Sequence, residues 1–297
     1  KTPMIITKQE QFAKLTEIID AIKINTQEEF NEYKINWDKL KTLHQYHHKN
    51  ITNIIKQENE KPENEKQENV KGIVMCFGGK NLTLNGIVSL VFIRNKLPNI
   101  PIEIYYYGDE LNDNIIIDIK QMIINGDNIA FINLSENPEI MEIVKNNKLF
   151  NMRGFQIKLF ALYYSKFRHV IYFDSDTILC GNITTLLDSL EYKQSGMILW
   201  RDIWCYGRYD SRYLDSFLRL SQIYNVNWEY NEYENDSGCI IIDKLHHKIL
   251  IKLLYYVGVN YHYYFKCGYG DKNYFKFFSK VISNITEKTL SNMYYEI

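Results

Sequence analysis

Residues 168–178 read Arg-His-Val-Ile-Tyr-Phe-Asp-Ser-Asp-Thr-Ile, an apolar run that ends in two aspartates one residue apart. Its β-branched and aromatic residues predict a buried central strand. Ligands of open α/β sheets bind at the carboxyl ends of such strands. Side chains alternate along an extended chain, so Asp174 and Asp176 turn their carboxylates toward one point beyond the strand end. Two hard oxygen ligands on a short tether suit Mg²⁺ or Mn²⁺ that bridges to a diphosphate.

The Asp-x-Asp corner fits two enzyme classes and one purely structural role. In a glycosyltransferase of the GT-A type, the two aspartates hold the metal under the diphosphate of a nucleotide sugar. In a haloacid-dehalogenase-like phosphatase, the strand ends in Asp-x-Asp-x-Thr, so that Asp174 is the nucleophile and Asp176 the general acid/base. The structural alternative is a strand-to-turn corner whose aspartates are only solvated.

Composition indicates a folded α/β protein rather than a disordered or fibrous one. The 297 residues suffice for one large domain with additional elements, and 45% are hydrophobic. A net charge of −1 argues against nucleic acid or a membrane surface as a general partner. The five cysteines show no Cys-x-x-Cys spacing, which favours reduced thiols over a disulfide framework or a zinc site. No stretch approaches the roughly 18 apolar residues of a membrane span.

The chain divides into three parts by pattern. Residues 1–55 carry apolar residues at helical spacing and predict a helical N-terminal segment, either a stem, an accessory helix pair or a self-association element. Residues 56–70 are polar and nearly repetitive, so we predict a linker there. Residues 71–297 form the predicted main domain.

Strands and helices alternate through the main domain, which predicts a largely parallel sheet covered by helices on both faces. Besides the strand before Asp174, the predicted strands cover residues 72–77, 102–107, 129–134, 197–200 and 239–242. The predicted helices cover residues 84–97, 111–124, 152–167, 211–224, 245–257 and 272–279.

Gly78 and Gly79 follow the first predicted strand. Glycine permits close approach of the backbone to a ligand, as nucleotide pockets require. A simple turn explains the pair equally well, because the flanking residues match neither a Gly-x-Gly-x-x-Gly nor a Walker pattern.

The position of the Asp-x-Asp corner weakens the phosphatase hypothesis. That architecture places the motif on its first core strand, whereas several predicted strands and helices precede residue 168 here. It also requires a late acidic pair in a Gly-Asp-x-x-x-Asp pattern. Residues 270–275 supply the first acid but place Phe275 where the second belongs.

Several sequence blocks, taken in order, resemble the fungal-type α-mannosyltransferase family, which contains the α-1,3-mannosyltransferases of the Golgi. The resemblance extends from Gly72 to about Phe278 and implies a GT-A fold, related to glycogenin-like retaining enzymes, with a Rossmann-like sheet. It also implies a nucleotide-sugar donor, a divalent metal and retention of anomeric configuration. The blocks are residues 72–79, 97–98 with 101–110, Lys158, 170–176, 196–202, 236–238 with 243–244, and 269–272.

The resemblance implies roles for individual residues. Asp174 and Asp176 look like ligands of Mn²⁺ or Mg²⁺, and also bind the donor. The catalytic candidates are Asp236, Asp271 and Lys272. For the two aspartates the reason is that a carboxylate near the anomeric carbon can stabilise oxocarbenium charge or act as a nucleophile. The other donor-binding candidates are Gly78, Gly79, Lys158, Ser175, Trp200, Arg201 and Asp202.

Structural roles stay open for several of these residues. Arg201 and Asp202 could form a salt bridge with each other, and Asp236 could cap a loop. Asp271 could be the N-cap of the helix predicted over residues 272–279, a position that Asp fills well. The sequence also departs from glycogenin-like relatives, because no Asp-x-His motif follows Asp271 to supply a third metal ligand.

We therefore expect a metal-dependent retaining glycosyltransferase that transfers a hexose-type sugar from a GDP- or UDP-sugar to a glycan or glycoprotein. A non-catalytic glycan- or partner-binding module on a GT-A fold is the second hypothesis, and the phosphatase is the third. Six Asn-x-Ser/Thr sequons include three beside candidate site residues, where glycans would block the site. We therefore expect a cytoplasmic enzyme, with the Golgi lumen and an anchor before residue 1 as the alternative.

Overall fold

The computed structural model describes residues 41–60, 69–123, 125–146, 152, 154–205, 212–229, 232–268 and 270–297. Its centre is a seven-stranded sheet in the order β3-β2-β1-β4-β6-β5-β7. The strands are β1 (Lys71–Cys76), β2 (Ile102–Tyr106), β3 (Ile129–Asn133), β4 (His169–Asp174), β5 (Met197–Cys205), β6 (Tyr233–Asp243) and β7 (Tyr295–Glu296).

Helices cover both faces of this sheet. The described α-helices are α1 (Lys41–Asn59), α2 (Gly79–Lys96), α3 (Asp113–Met122), α4 (Pro138–Asn146), α5 (Gln156–Tyr164), α6 (Leu190–Ser195), α7 (Arg212–Ile223), α8 (Lys248–Val259), α9 (Tyr261–Cys267) and α10 (Tyr274–Thr286). Short 3₁₀ helices cover Gly126–Asn128, Leu134–Glu136, Ile183–Asp188 and Leu290–Asn292.

The sheet contains both parallel and antiparallel strand pairs. Strands β1, β2, β3 and β4 pair in parallel, with helices in the connections. Strand β6 runs antiparallel to both β4 and β5. The prediction of an α/β fold with a mostly parallel sheet between helical layers is confirmed.

The core has one cluster on each face of the sheet, because side chains alternate along every strand. Val74 and Tyr172 pack with helices α5, α8 and α10 on one face. Ile73 and Ile171, one residue earlier on the same strands, pack with α2 and α3 on the other. The central strands are therefore apolar throughout, as expected for strands buried on both sides.

Helix α1 belongs to the first of these clusters. Ile51 and Ile55 are fully buried, and His44 Nδ1 lies 2.6 Å from the hydroxyl of Tyr263. The helix continues to Asn59, past the boundary predicted at residue 55. Its last turn is polar but contains the buried Glu58, which pairs with Lys252 of α8. Residues 1–40 of the predicted helical N-terminal segment lie outside the described residues.

Two strands near the predicted site extend further than their apolar runs. We expected residues 197–200 and 239–242, whereas β5 reaches Cys205 and β6 begins at Tyr233. The additional part of β6 is mostly polar, and that of β5 includes the exposed Ile203 and Trp204. The two parts pair with each other through register shifts near Trp200 and Arg201. The hydrophobic pattern could not indicate them, because they border the site instead of the core.

The helix predicted over residues 272–279 begins later, at Tyr274, with Asn273 at its N-cap position. Asp271 is therefore not that helix's N-cap. Helices α4, α6 and α9 were not predicted. All five cysteines are unpaired thiols, as expected. Among the described helices, none combines the length and hydrophobicity needed to cross a membrane.

Candidate active site

The Asp-x-Asp pair lies at the end of β4, as the sequence predicted. Asp174 is the last residue of β4 and lies beside Cys76, the last residue of β1. The hydroxyl of Tyr172 donates to Asp174 Oδ1 at 2.7 Å. Thr177 N donates to the carbonyl of Asp174 at 3.1 Å, so the chain turns directly after the strand. Asp174 is thereby fixed at the sheet edge.

Lys158 of α5 holds this aspartate from the side. Its ammonium nitrogen lies 3.1 Å from Asp174 Oδ1 and 3.0 Å from Asp271 Oδ2. It also donates to the carbonyl and hydroxyl of Ser237, at 2.9 and 3.1 Å. The side chain is only 5% exposed. Lys158 thus joins a helix, the β4 end, strand β6 and the turn before α10.

The charges in this cluster depend on each other. Burial lowers the pKa of Lys158. The carboxylates of Asp271 and Asp174 raise it by more than burial lowers it, so the pKa lies above its ordinary value. Burial raises the pKa of Asp174, and Asp271 adds to this, whereas Lys158 and Tyr172 oppose it. A further cation beside Asp174 would favour its ionised form.

The remaining acids of the predicted site lie around the same edge. Asp176 is exposed in this turn, and Ser175 between the two aspartates is buried. Asp236 on β6 is also exposed, and its Oδ1 accepts from Gly238 N at 2.7 Å. The carboxylates of Asp236 and Asp174 both lie close to the position that a Cβ on Gly238 would occupy, at 3.2 and 3.6 Å. The structure therefore brings the carboxylates of Asp174 and Asp236 together.

A second ionic cluster anchors the turn that carries Asp271. Lys272 is bonded to Asp202 of β5 and lies 2.7 Å from Glu234 Oε2 of β6. Burial lowers the pKa of Lys272, and the two carboxylates more than offset this, so that the net shift is upward. The Lys272 ammonium is therefore held by protein carboxylates.

Arg201 and Asp202 do not pair with each other. The Arg201 guanidinium lies 3.4 Å from Glu296 Oε2 and over the ring of Tyr233. Trp200 is half-buried and lies opposite Asp236 in the β5–β6 register.

Gly78 and Gly79 lie at the same sheet edge, directly after β1. Gly79 has a φ of 68°, in the left-handed region, and its N–H donates to the carbonyl of Glu110 at 2.9 Å. A Cβ at Gly78 would lie 2.5 Å from Glu110 Cβ. Both glycines are thus required by the turn itself.

Four residues of the site had no role in the sequence analysis: Tyr172, Thr177, Glu234 and Ser237. Tyr172 was counted only as an apolar strand residue. Ser237 lies inside the Asp-Ser-Gly block, which was the available signal for it. Glu234 gave no local signal, because its partner Lys272 lies far away in the sequence. The hydroxyl of Thr177 likewise donates to the distant carbonyl of Gly238.

The described residues contain no group of three His, Cys, Asp or Glu side chains arranged to hold a metal ion. Asp174 and Asp176 supply hard carboxylate oxygens, and among the described residues no third ligand of these types completes a metal-binding group with them. This matches how Mg²⁺ is bound in many nucleotide sites, by one or two carboxylates with substrate phosphates and water completing the shell. The residues fit a metal that arrives with a diphosphate.

Comparisons with known proteins agree with the resemblance found in the sequence. The family described as "Mannosyltransferase putative" matches residues 70–234. The α-1,2-mannosyltransferase MNN2 of Candida albicans is 29% identical over 167 residues, which cover 43% of this chain and 28% of that protein. The α-1,2-mannosyltransferase MNN5 of Saccharomyces cerevisiae is 22% identical, over 69% of this chain and 42% of that protein. The chain thus spans less than half the length of these relatives.

Similar solved structures include the galactosyltransferase LgtC in complex with donor and acceptor sugar analogs. It has a TM-score of 0.49 and 17% identity, over 70% of each chain. The mannosyltransferase Ktr4p of S. cerevisiae has a TM-score of 0.42 and 12% identity, over 78% of this chain and 74% of that one.

Proposed function

The chain belongs to the mannosyltransferase family whose model matches more than half of it, and from this premise we propose a metal-dependent retaining glycosyltransferase activity. The donor is a nucleotide sugar, GDP-mannose by the precedent of the family's name, and the acceptor is a glycan or glycoprotein. The observation that carries the proposal is Asp174, fixed at the carboxyl end of β4 by Lys158 and Tyr172. If Asp174 were only a solvated residue at a strand-to-turn corner, its carboxylate would need no buried ammonium group to hold it.

The charge of the site supports a divalent cation as part of the donor complex. The ammonium group of Lys158 lies among carboxylates at this sheet edge. The carboxylates are those of Asp174, Asp176, Asp236 and Asp271. A diphosphate brought to such an acidic edge would be repelled. Asp174 and Asp176 would hold Mn²⁺ or Mg²⁺, which offsets the diphosphate charge and stabilises the departing nucleotide.

The protein residues divide the remaining work. Lys158 keeps Asp174 oriented and compensates part of its charge, since its ammonium contacts both Asp174 and Asp271. Lys272 holds the turn in place, and thereby the position of Asp271. Asp236 is exposed next to Asp174 and can stabilise positive charge that develops at the anomeric carbon.

A donor panel tests the proposal. Purified protein is mixed with Mn²⁺ and each of GDP-mannose, UDP-glucose, UDP-galactose and UDP-GlcNAc, and both thermal unfolding and donor hydrolysis are measured. We expect one donor to raise the unfolding temperature in a Mn²⁺-dependent manner and to be hydrolysed slowly without acceptor. Hydrolysis would also exclude the non-catalytic module. If no donor stabilises or reacts, the proposed activity is wrong.

A further inference from the structure

Helix α2 carries large apolar side chains on the side that faces solvent. Four of them follow helical i, i+4, i+7, i+8 spacing and are between 40 and 60% exposed; we call them the outer stripe, namely Leu84, Val88, Val91 and Phe92. The residues that α2 buries are mostly small or polar: Thr83, Gly86, Ser89, Leu90, Ile93 and Arg94. A helix that covers a sheet normally turns its apolar stripe toward the sheet. An exposed apolar surface of this kind indicates an interaction site.

Polar contacts on the buried side fix the rotation of α2 about its axis. Ser89 Oγ donates to the carbonyl of Thr177 at 2.6 Å. The Arg94 guanidinium donates to the carbonyls of Ile100 and Asn128, at 2.5 and 3.2 Å. A rotation that turned the outer stripe inward would break these hydrogen bonds. The outer stripe is therefore held at the surface of the domain.

The charges of α2 narrow the choice of partner for this stripe. The helix contains no acidic residue, and its exposed charged residues are Lys80 and Lys96, near its two ends. Two copies of the chain packed through α2 would bring lysines together in either a parallel or an antiparallel pair, and like charges repel. A partner with an apolar stripe and acidic flanks complements this helix better.

The N-terminal part of the chain contains such a sequence. Residues 10–22 place apolar residues at the same i, i+4, i+7 spacing as the first three members of the outer stripe, namely Leu15, Ile19 and Ile22. Their acidic residues outnumber the single lysine, Lys14, and are Glu10, Glu17 and Asp20. As helices the two apolar stripes have equal lengths, and the charges have opposite sign.

The connecting chain is long enough to bring the two together. Helix α1 is described from Lys41 and packs on the face of the sheet opposite to α2. Residues 23–40 span up to ~60 Å when extended, whereas a domain of this size is ~45 Å across. Residues 10–22 can therefore reach α2 within one molecule.

We propose that residues 10–22 form an amphipathic helix that docks on the outer stripe of α2 in the same chain. Leu15, Ile19 and Ile22 cover the outer stripe, and the acidic flanks face Lys80 and Lys96. This docking does not require the proposed glycosyltransferase activity, so either can fail without the other.

Hydrogen exchange of the full chain, followed by mass spectrometry, tests the docking. Val88→Asp places a charge in the middle of the outer stripe, and Val88 is 50% exposed, so the domain should still fold. We expect the amides of residues 12–22 to exchange about tenfold or more faster in this variant than in wild type. Met141→Asp is the matched control, since Met141 is also 50% exposed but lies on α4, whose Ile140 packs on the opposite face of the sheet. The control should leave this exchange within about twofold of wild type.

A reciprocal variant keeps the test independent of changes in α2. Ile19→Asp alters the docking segment itself and should accelerate exchange of residues 12–22 as much as Val88→Asp does. Because both substitutions break the same contact, the double variant should exchange no faster than either single variant. Additive acceleration, or equal exchange in wild type and Val88→Asp, would overturn the proposal.

Two controls separate the other possible occupants of the stripe. Light scattering should give the mass of one chain for wild type; a dimer that Val88→Asp dissociates would assign the stripe to a second copy and overturn docking within one chain. Vesicles of phosphatidylcholine and phosphatidylserine should leave the exchange of α2 unchanged. Protection of α2 that appears only with these vesicles would assign the stripe to a lipid surface and overturn the proposal as well.

Discussion

Replacing Lys158 by Met should destabilise the protein strongly, because it leaves the buried Asp271 and the partly exposed Asp174 without their cation. Methionine preserves most of the side-chain volume and removes the ammonium group. That group lies 3.1 Å from Asp174 Oδ1 and 3.0 Å from Asp271 Oδ2, and it also donates twice to Ser237. Asp271 has an exposed side-chain fraction of only 4%, so water cannot replace the lost contacts there.

The expected cost follows from this geometry. Removing one partner of a buried ion pair costs about 3–5 kcal/mol of unfolding free energy, because the other partner stays charged and buried. Asp271→Asn alone should cost less, about 1–3 kcal/mol, since Lys158 keeps its contact with Asp174. In the double variant the two costs should overlap, and we expect a coupling free energy of about 1–3 kcal/mol.

Urea unfolding of wild type, both single variants and the double variant measures this cycle. The matched control is Lys166→Met, whose side chain is 68% exposed and lies 3.8 Å from Glu103 Oε1. Because Lys166 is exposed and too far from the buried Glu103 for a hydrogen bond, this pair should contribute about 0–1 kcal/mol. Additive costs in the cycle, or a Lys158→Met variant no less stable than the control, would refute the central position of Lys158.

Three further predictions concern other parts of the fold. Gly72→Ala should destabilise by about 1–3 kcal/mol in urea unfolding, because its Cβ would lie 2.3 Å from the ring of Phe167; an unchanged midpoint would contradict this packing. Burial lowers the pKa of His44 in the folded protein to about 4, so as pH falls His44 becomes protonated in the unfolded state before it does in the folded state. His44 should thus destabilise wild type by about 2 kcal/mol between pH 7 and pH 5, and His44→Gln should lose less over that range in pH-dependent melting. Lys272→Met should reduce stability by about 1–3 kcal/mol and lower donor turnover, whereas Lys272→Arg should retain most of both; equal defects would assign Lys272 a role beyond ion pairing.

The part of the fold around β4 could be predicted because its signal is local. The apolar run before Asp174 is long enough to specify a strand buried on both faces. The alternation of strands and helices then specifies the sheet class. Neither inference needs a contact between distant residues.

The polar half of β6 and the end of α1 could not be predicted in this way. Residues 233–238 are polar because they border the site, and only pairing with β5 makes them a strand. Glu58 looks like a linker residue until Lys252, 194 residues further along, reaches it. Hydrophobic pattern carries no information about such long-range polar contacts.

The candidate site was predicted in outline but not in its connections. Asp174 and Asp176 were found from their position at a strand end. Lys158 contacts Ser237 and Asp271, which lie 79 and 113 positions further along the chain. The resemblance pointed to each of these blocks, but only the structure shows that the ammonium binds protein carboxylates.

The central claim is that Asp174 and Asp176 hold a divalent cation under the donor diphosphate. The most direct measurement is a calorimetric titration of wild type and Asp176→Asn with the nucleoside diphosphate, with and without Mn²⁺. The substitution preserves shape and removes one negative ligand, and Asp176 is exposed, so folding should survive. We predict that Mn²⁺ strengthens nucleotide binding by about tenfold or more in wild type, and that most of this gain is lost in Asp176→Asn. The same Mn²⁺ gain in both proteins would contradict the metal assignment.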